Sequence, residues 1–179
     1  MKYAKTSVFL ILSAIIFISC ADQKSKNPRN LTKENARIES VIQGATFQDL
    51  NGNDVTISDY AGKVVLIDFW ETWCGPCLQV FPAMDSLKSE YPDSFEVITV
   101  NLLDADTQAD IEQFIEKNEY DFVYSMDVNN VGDQIITLGI PFKVFIDPDG
   151  FLIKAELGSA GTQGDYEMAK VIIETNKRS

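Results

Sequence analysis

At 179 residues the chain suits one domain with room for a targeting segment, and 45% hydrophobic against 23% charged residues supply a packed core and exclude global disorder. Asp and Glu outnumber Lys and Arg by 27 to 15, and the resulting net charge of −12 repels phosphate backbones, which weighs against nucleic-acid binding. Histidine is absent, which removes Ser-His-Asp and Cys-His catalysis, haem ligation by His and every zinc site that needs imidazole.

Three cysteines remain, Cys20, Cys74 and Cys77. Ahead of the first, Lys2 and Lys5 precede an apolar run from Val8 to Ile18. Eleven helical residues reach roughly 16 Å, about half of a hydrocarbon core, so the run is too short to span. A basic start, a short apolar stretch and then Ser19 form the pattern of a secretory signal over residues 1–19. Phe17-Ile18-Ser19-Cys20 resembles the lipobox of bacterial lipoproteins, although its leading positions are bulkier than the usual Leu-Ala-Gly. The resemblance implies that Cys20 receives lipid and becomes the new N-terminus. The alternative is an ordinary cleaved signal with a cysteine nearby by chance, which would leave a free thiol in an oxidising compartment. Residues 20–40 are polar with little periodicity before Ile38, and read as a flexible tether that holds the domain off the membrane surface. The folded domain is therefore expected over residues 41–179. Without Lys2 and Lys5 the mature chain carries 13 basic against 27 acidic residues.

Within that domain, Thr46 to Leu50 and Val55 to Ile57 flank Asn51-Gly52-Asn53-Asp54, a strong hairpin signal. Lys63 to Trp70 is nearly continuous in apolar residues, as expected of a central strand covered on both faces. Gly75 to Tyr91 reads as a helix with Val80, Phe81, Met84 and Leu87 inward and Pro82 kinking it. Phe95 to Leu103 is a second β-branched strand, and Asp106 to Asn118 an acidic amphipathic helix with Ile111, Phe114 and Ile115 inward. The acidic residues between Asp104 and Asp121 read as a solvated helix face. A short strand at Phe122 to Met126 and a short helix at Val128 to Leu138 follow. Phe142 to Ile146 and Phe151 to Glu156 flank the turn Asp147-Pro148-Asp149-Gly150, and Gly164 to Lys177 closes the chain as a helix. Strands alternating with helices and ending in a hairpin indicate an α/β sheet with a mixed edge.

The chemistry concentrates in Trp73-Cys74-Gly75-Pro76-Cys77, where the central strand gives way to a helix. Two cysteines three apart at a helix start bring their sulfurs within disulfide reach. The unpaired N–H groups and positive dipole of the helix end favour thiolate at the first sulfur. A free thiol near pKa 8.5 is only about 3% ionised at pH 7, so this lowering matters for reactivity. Cys74 is expected to be the exposed nucleophile and Cys77, one turn in, the shielded second thiol. The competing uses of such a pair are weaker. Structural zinc needs four ligands, and neither a second CxxC nor a histidine is present to complete them. A purely structural disulfide would close only a tiny loop, which constrains the unfolded chain little.

Ile67-Asp68-Phe69-Trp70-Glu71-Thr72-Trp73-Cys74-Gly75-Pro76-Cys77 resembles the active-site stretch of the thioredoxin superfamily, Pro82 matches that family's helix kink, and Gly139-Ile140-Pro141 resembles its cis-proline loop. Ala45 to Lys177 is similar to the TlpA/ResA-like branch of membrane-tethered, extracytoplasmic thiol-disulfide oxidoreductases, through the N-terminal hairpin, Gly62-Lys63-Val64-Val65-Leu66-Ile67 and the Ile-Asp-Pro-Asp-Gly turn. The resemblance implies a thioredoxin fold, a central mixed sheet flanked by helices, with an N-terminal β-hairpin and an inserted βα-type element. It implies a redox-active Cys74–Cys77 pair, substrate contacts at Trp73, Gly75, Pro76, Ile140 and Pro141, and a cis Ile140–Pro141 bond that frees the Ile140 backbone to pair with a substrate chain. Asp68 interrupts an apolar strand, where burial is costly and raises proton affinity, so it is a candidate proton acceptor for Cys77. Much of the branch carries Asn at this position, and some members use a Glu in the inserted region. Trp70 is expected in the core. Phe142 and Lys143 stand where many relatives carry Thr or another small residue, and are expected to change the groove wall.

The function so implied is reduction of protein disulfides in the cell envelope by a periplasm-facing lipoprotein, without cofactor or metal, re-reduced by a membrane-embedded electron donor. Apocytochrome c thiols are the substrate class usually associated with the branch, and envelope proteins with wrong disulfides are equally compatible. Gly75-Pro76 resembles the reducing type. The alternatives are a disulfide-forming oxidant or isomerase, a thiol peroxidase, whose Pro-x-x-x-Thr-x-x-Cys pattern is missing upstream of Cys74, and a non-catalytic docking lipoprotein.

Overall fold

The computed structural model describes residues 29–178. The signal segment expected over residues 1–19 and the lipidation expected at Cys20 fall outside the described residues. The folded part begins earlier than Val41. Helix α1 spans Lys33–Gln43, capped by Thr32, whose hydroxyl accepts from the Asn35 amide at 3.1 Å. Ile38 and Ile42 on its inner face are buried, so the second half of the expected tether is part of the domain. Just ahead of it, Arg29 forms an ion pair with Glu39, donates to the Leu152 carbonyl and lies over the Phe151 ring.

Strands β1 (Phe47–Asp49) and β2 (Asp54–Val55) form the expected hairpin. Asp49 Oδ1 accepts from the amides of Asn51 and Asn53, both at 2.8 Å, and Gly52 takes the positive φ of +83° that the turn needs. Ile57, expected to extend β2, instead starts a 3-10 turn, Ile57–Tyr60, which Asp59 caps by accepting from the Thr56 amide at 2.7 Å. The remaining elements are β3 (Val64–Trp70), α2 (Gly75–Glu90), β4 (Phe95–Asn101), α3 (Gln108–Lys117), β5 (Val123–Met126), α4 (Val131–Ile135), β6 (Phe142–Ile146), β7 (Leu152–Leu157) and α5 (Gly161–Asn176).

The strands form one seven-stranded sheet in the order β2-β1-β5-β4-β3-β6-β7. β3, β4 and β5 run parallel, while β6, β7 and the N-terminal hairpin pair antiparallel. Every residue of β3 and β4 is buried, which explains their mainly apolar sequences, broken by Asp68 in β3 and by Glu96, Thr99 and Asn101 in β4. Alternation sorts β3 into two cores. Val64, Leu66 and Trp70 pack with residues of α2, α3 and α5, whereas Val65, Ile67 and Phe69 pack with residues of α1 and α4. Trp70 is central in the first core, touching Phe81 and Phe114 edge-on or tilted with ring centroids 4.9 and 4.8 Å away. All helices present in the described residues are too short or too polar to cross a membrane.

Candidate redox site

β3 ends at Trp70, and Glu71-Thr72-Trp73 carry the chain over the sheet edge into α2. This turn is tied down by two buried carboxylates whose chain partners are far away in sequence. Glu71 accepts from the amides of Asp104 at 2.6 Å and Ala105 at 3.2 Å, and its other oxygen accepts from the Trp73 indole N–H. Asp106 accepts from the Thr72 amide at 2.6 Å, the Thr72 hydroxyl at 2.7 Å and the Asn101 side-chain amide at 2.7 Å. Asp106 was expected on a solvated helix face. It is buried because it lies before α3, at the foot of the turn, where those three donors need an acceptor. Between these carboxylates Leu103 holds a left-handed backbone, φ +61°, its amide donating to Asn101 Oδ1 at 2.9 Å.

Cys74 caps α2. Its carbonyl accepts from the amides of Cys77 at 2.9 Å and Leu78 at 3.1 Å, and its sulfur accepts from the Cys77 amide at 3.2 Å. Pro76 sits in the first turn, where a missing N–H leaves nothing unsatisfied. Cys74 and Cys77 are joined by a disulfide with Cα atoms 5.3 Å apart. Cys77 is fully buried as expected, but Cys74 is only 3% exposed and is not the open thiol that the sequence suggested. In the disulfide its sulfur is drawn against the helix end, bonded to Cys77 and facing that residue's amide. The exposed surface at the pair comes from Gly75, Pro76 and Trp73, the last 64% exposed.

The Ile140–Pro141 bond is cis, and Gly139 before it takes φ +135°. Pairing of Phe142 with Phe69 sets Pro141 beside the Trp70 end of β3, at the edge where α2 begins. Trp73, Glu71, Leu102, Asp133, Ile136 and Ile140 line a groove of about 420 Å³ at this edge.

Asp68 lies on the β3 face shared with Leu66 and Trp70, the face that α2 and Cys77 cover. It is 1% exposed, and neither carboxyl oxygen has a hydrogen-bond partner. Burial pushes its pKa well above the usual carboxylate range, the Lys143 ammonium works against that rise, and the Asp165 carboxylate adds to it. Lys143 was expected to shape the groove wall. Its side chain instead points into the core, 1% exposed, because β6 alternates and Lys143 shares the inner face of Phe145. It forms an ion pair with Asp165 of α5. Phe142, half-buried, packs with the opposite core and lines a depression with Leu138 and Leu157 rather than the groove beside Trp73.

Of the residues singled out from sequence, Cys74, Cys77, Trp73, Gly75, Pro76, Ile140 and Pro141 gather at one sheet edge, and Asp68 lies under α2. Glu71, Asp106 and Asp165 were missed. Each is a carboxylate in an otherwise sensible position, and only its distant partners reveal it.

A sheet of this order, a helix opened by a closed CxxC disulfide and a cis-proline loop beside it define the class of thioredoxin-like thiol-disulfide oxidoreductases. Residues 38–157 match the AhpC/TSA family, and the chain belongs to it. The thiol-disulfide oxidoreductase ResA of Oceanobacillus iheyensis is 30% identical over 149 residues, which cover 82% of this chain and 76% of that protein. A Chlorobium tepidum structure assigned as the thiol:disulfide interchange protein DsbE is 29% identical with a TM-score of 0.64, covering 73% of this chain and 91% of its own. The exposed lipoprotein thioredoxin of Streptococcus pneumoniae is 25% identical with a TM-score of 0.59, covering 71% and 98%. The protein is accordingly a thiol-disulfide oxidoreductase with the thioredoxin fold.

Proposed function

We propose that this oxidoreductase is a lipid-anchored, extracytoplasmic reductase of protein disulfides. The observation that carries the reading is the Cys74–Cys77 disulfide at the start of α2 with Gly75-Pro76 between its cysteines, beside the cis Ile140–Pro141 bond. The lipobox-like Phe17-Ile18-Ser19-Cys20 supports anchoring through Cys20, as does similarity to a lipoprotein thioredoxin.

In the reduced enzyme the Cys74 thiolate attacks one sulfur of a substrate disulfide, forming a mixed disulfide and expelling the other sulfur as thiolate. Cys77 gives its proton to Asp68, attacks the Cys74 sulfur and releases the second substrate sulfur. Two electrons have passed to the substrate, and the Cys74–Cys77 bond is closed. Trp73, Gly75, Pro76, Ile140 and Pro141 form the docking edge for the substrate chain. Outside the cytosol no glutathione pool re-reduces the pair, so a membrane-embedded donor supplies the electrons. Apocytochrome c and wrongly paired envelope proteins both fit as substrates.

The test has two arms. Cys74→Ser abolishes insulin reduction, and Cys77→Ser accumulates a mixed disulfide that mass spectrometry identifies. The reduction potential fixes direction: a reductase lies near the thioredoxin value of about −270 mV, an oxidant near about −120 mV, a difference of roughly 7 kcal/mol for two electrons. An active Cys74→Ser protein ends the catalytic reading, and a potential at the oxidising end reverses its direction.

A further inference from the structure

Beneath the redox pair three charged side chains are buried together. Asp68 of β3 and Lys143 of β6 oppose each other on one rung of the antiparallel ladder, and Lys143 Nζ reaches across to Asp165 of α5. All three are buried. One ammonium between two carboxylates leaves a negative charge uncompensated when all three ionise, and a buried unpaired charge is far costlier than a paired one. One of the carboxyls therefore has to be the neutral one.

Hydrogen bonding makes the selection. Asp165 Oδ1 takes the Lys143 ammonium, and Asp165 Oδ2 accepts from the Ser159 hydroxyl. Ser159 is itself fixed, its oxygen accepting from the Gly161 amide at 3.0 Å. Asp68 has no such partner on either oxygen. The other groups facing Asp68 leave this balance alone. Thr99 of β4 is uncharged, and Tyr124 beside it on β5 stays neutral, burial pushing its hydroxyl up. Cys77 of α2 is held in the disulfide, and Glu156 of β7, opposite Lys143, pairs with Lys154 at 3.0 Å.

We infer that Asp165 is a positioning residue: by taking the Lys143 ammonium from the α5 side it withholds that charge from Asp68, and so leaves Asp68 as the carboxyl that gains and loses a proton under Cys77. This rests on the proton-acceptor role proposed for Asp68. In the resolving step the Cys77 S–H bond breaks, the proton moves to an Asp68 oxygen, and the sulfur's electron pair closes the bond to Cys74 while the substrate thiolate departs. A closed disulfide above a neutral Asp68 is the state so reached, and an unpartnered buried carboxyl suits it. An ammonium turned toward Asp68 would stabilise the carboxylate and weaken it as an acceptor.

The test follows the Asp68 carboxyl carbon by NMR against pH in the full-length oxidised protein, assigned by its loss in Asp68→Asn. In parallel, the pH profile of mixed-disulfide resolution is measured. Asp165→Asn frees the ammonium, and the Asp68 midpoint is expected to fall by about one pH unit or more, with the rate profile moving the same way. A midpoint unchanged in folded Asp165→Asn overturns the inference. The double variant Lys143→Met/Asp165→Asn removes the pair without leaving a charge and covers the case in which the single variant does not fold. It is expected to keep the wild-type midpoint, whereas a rise of about one unit or more means that Lys143 was serving Asp68 all along, and overturns the inference. A midpoint that falls in Asp165→Asn while the rate profile stays fixed upholds the charge arrangement and removes Asp68 from the proposed mechanism.

Discussion

Replacing Asp106 by Ala tests how the turn ahead of Cys74 is held. Its carboxylate collects three donors, two from Thr72 and one from Asn101. A hydrogen bond to a charged group contributes about 1.5–3 kcal/mol. Thr72 is half-buried and regains water for part of its loss, but Asn101 is fully buried and does not. Relief from burying the Asp106 charge offsets some of the remainder, which brings the net loss to about 3 kcal/mol. For a domain of this size that lowers Tm by about 6–12 °C. Thr72 directly precedes Trp73 and Cys74, so a loosened turn also lowers kcat/KM for insulin reduction, by about tenfold for each 1.4 kcal/mol of lost positioning. Urea unfolding of the oxidised protein and an insulin turbidity assay read the two effects. A stability loss under about 1 kcal/mol with undiminished insulin reduction would refute the reasoning.

Asp68→Asn removes a carboxyl whose folded-state pKa is raised by burial. The wild type holds that contribution fully below the ordinary carboxylate range. It loses up to about 1.4 kcal/mol per pH unit as pH rises from there to the folded-state ionisation of Asp68. The Asn variant lacks this slope, so urea midpoints across pH diverge in its favour as pH rises, and parallel curves contradict the burial argument. Ile42→Ala empties a fully buried position of α1 and costs about 2–5 kcal/mol, whereas an unchanged urea midpoint would return residues 33–43 to the tether. Trp73→Ala removes a largely exposed side chain together with its indole hydrogen bond to the buried Glu71, costs about 1.5–3 kcal/mol of stability, and lowers kcat/KM for insulin while sparing a small linear disulfide such as hydroxyethyl disulfide. Equal losses on both substrates would remove Trp73 from the docking edge.

Where burial on both faces writes a mainly apolar, β-branched run, as in β3 and β4, the strands were legible directly. Turn chemistry exposed both hairpins for the same local reason: Asp49 with Gly52, and Asp147, which accepts from the amides of Asp149 and Phe151, act within four residues of themselves. The redox pair was legible because its chemistry lies within one helical turn. α1 was not, since only Ile38 and Ile42 are buried among Lys33, Glu34, Arg37 and Glu39, too sparse a stripe to stand out from a polar tether. The supports of the site were hidden for another reason. Glu71 and Asp106 find donors more than thirty residues away, and Lys143 meets Asp68 and Asp165 only after β6 pairs with β3 and α5 closes over them. Local pattern carries no trace of such partnerships.

The grip of Arg29 gives the molecule two opposite ends. Leu152, whose carbonyl Arg29 holds, pairs with Ile146, and Ile146 with Val65, so the chain enters the domain level with the first residues of β3. The sulfurs stand past Trp70, five residues or about 17 Å further along the same strand. The point where the described chain enters and the point where a substrate disulfide meets the sulfurs therefore lie at opposite ends of one central strand.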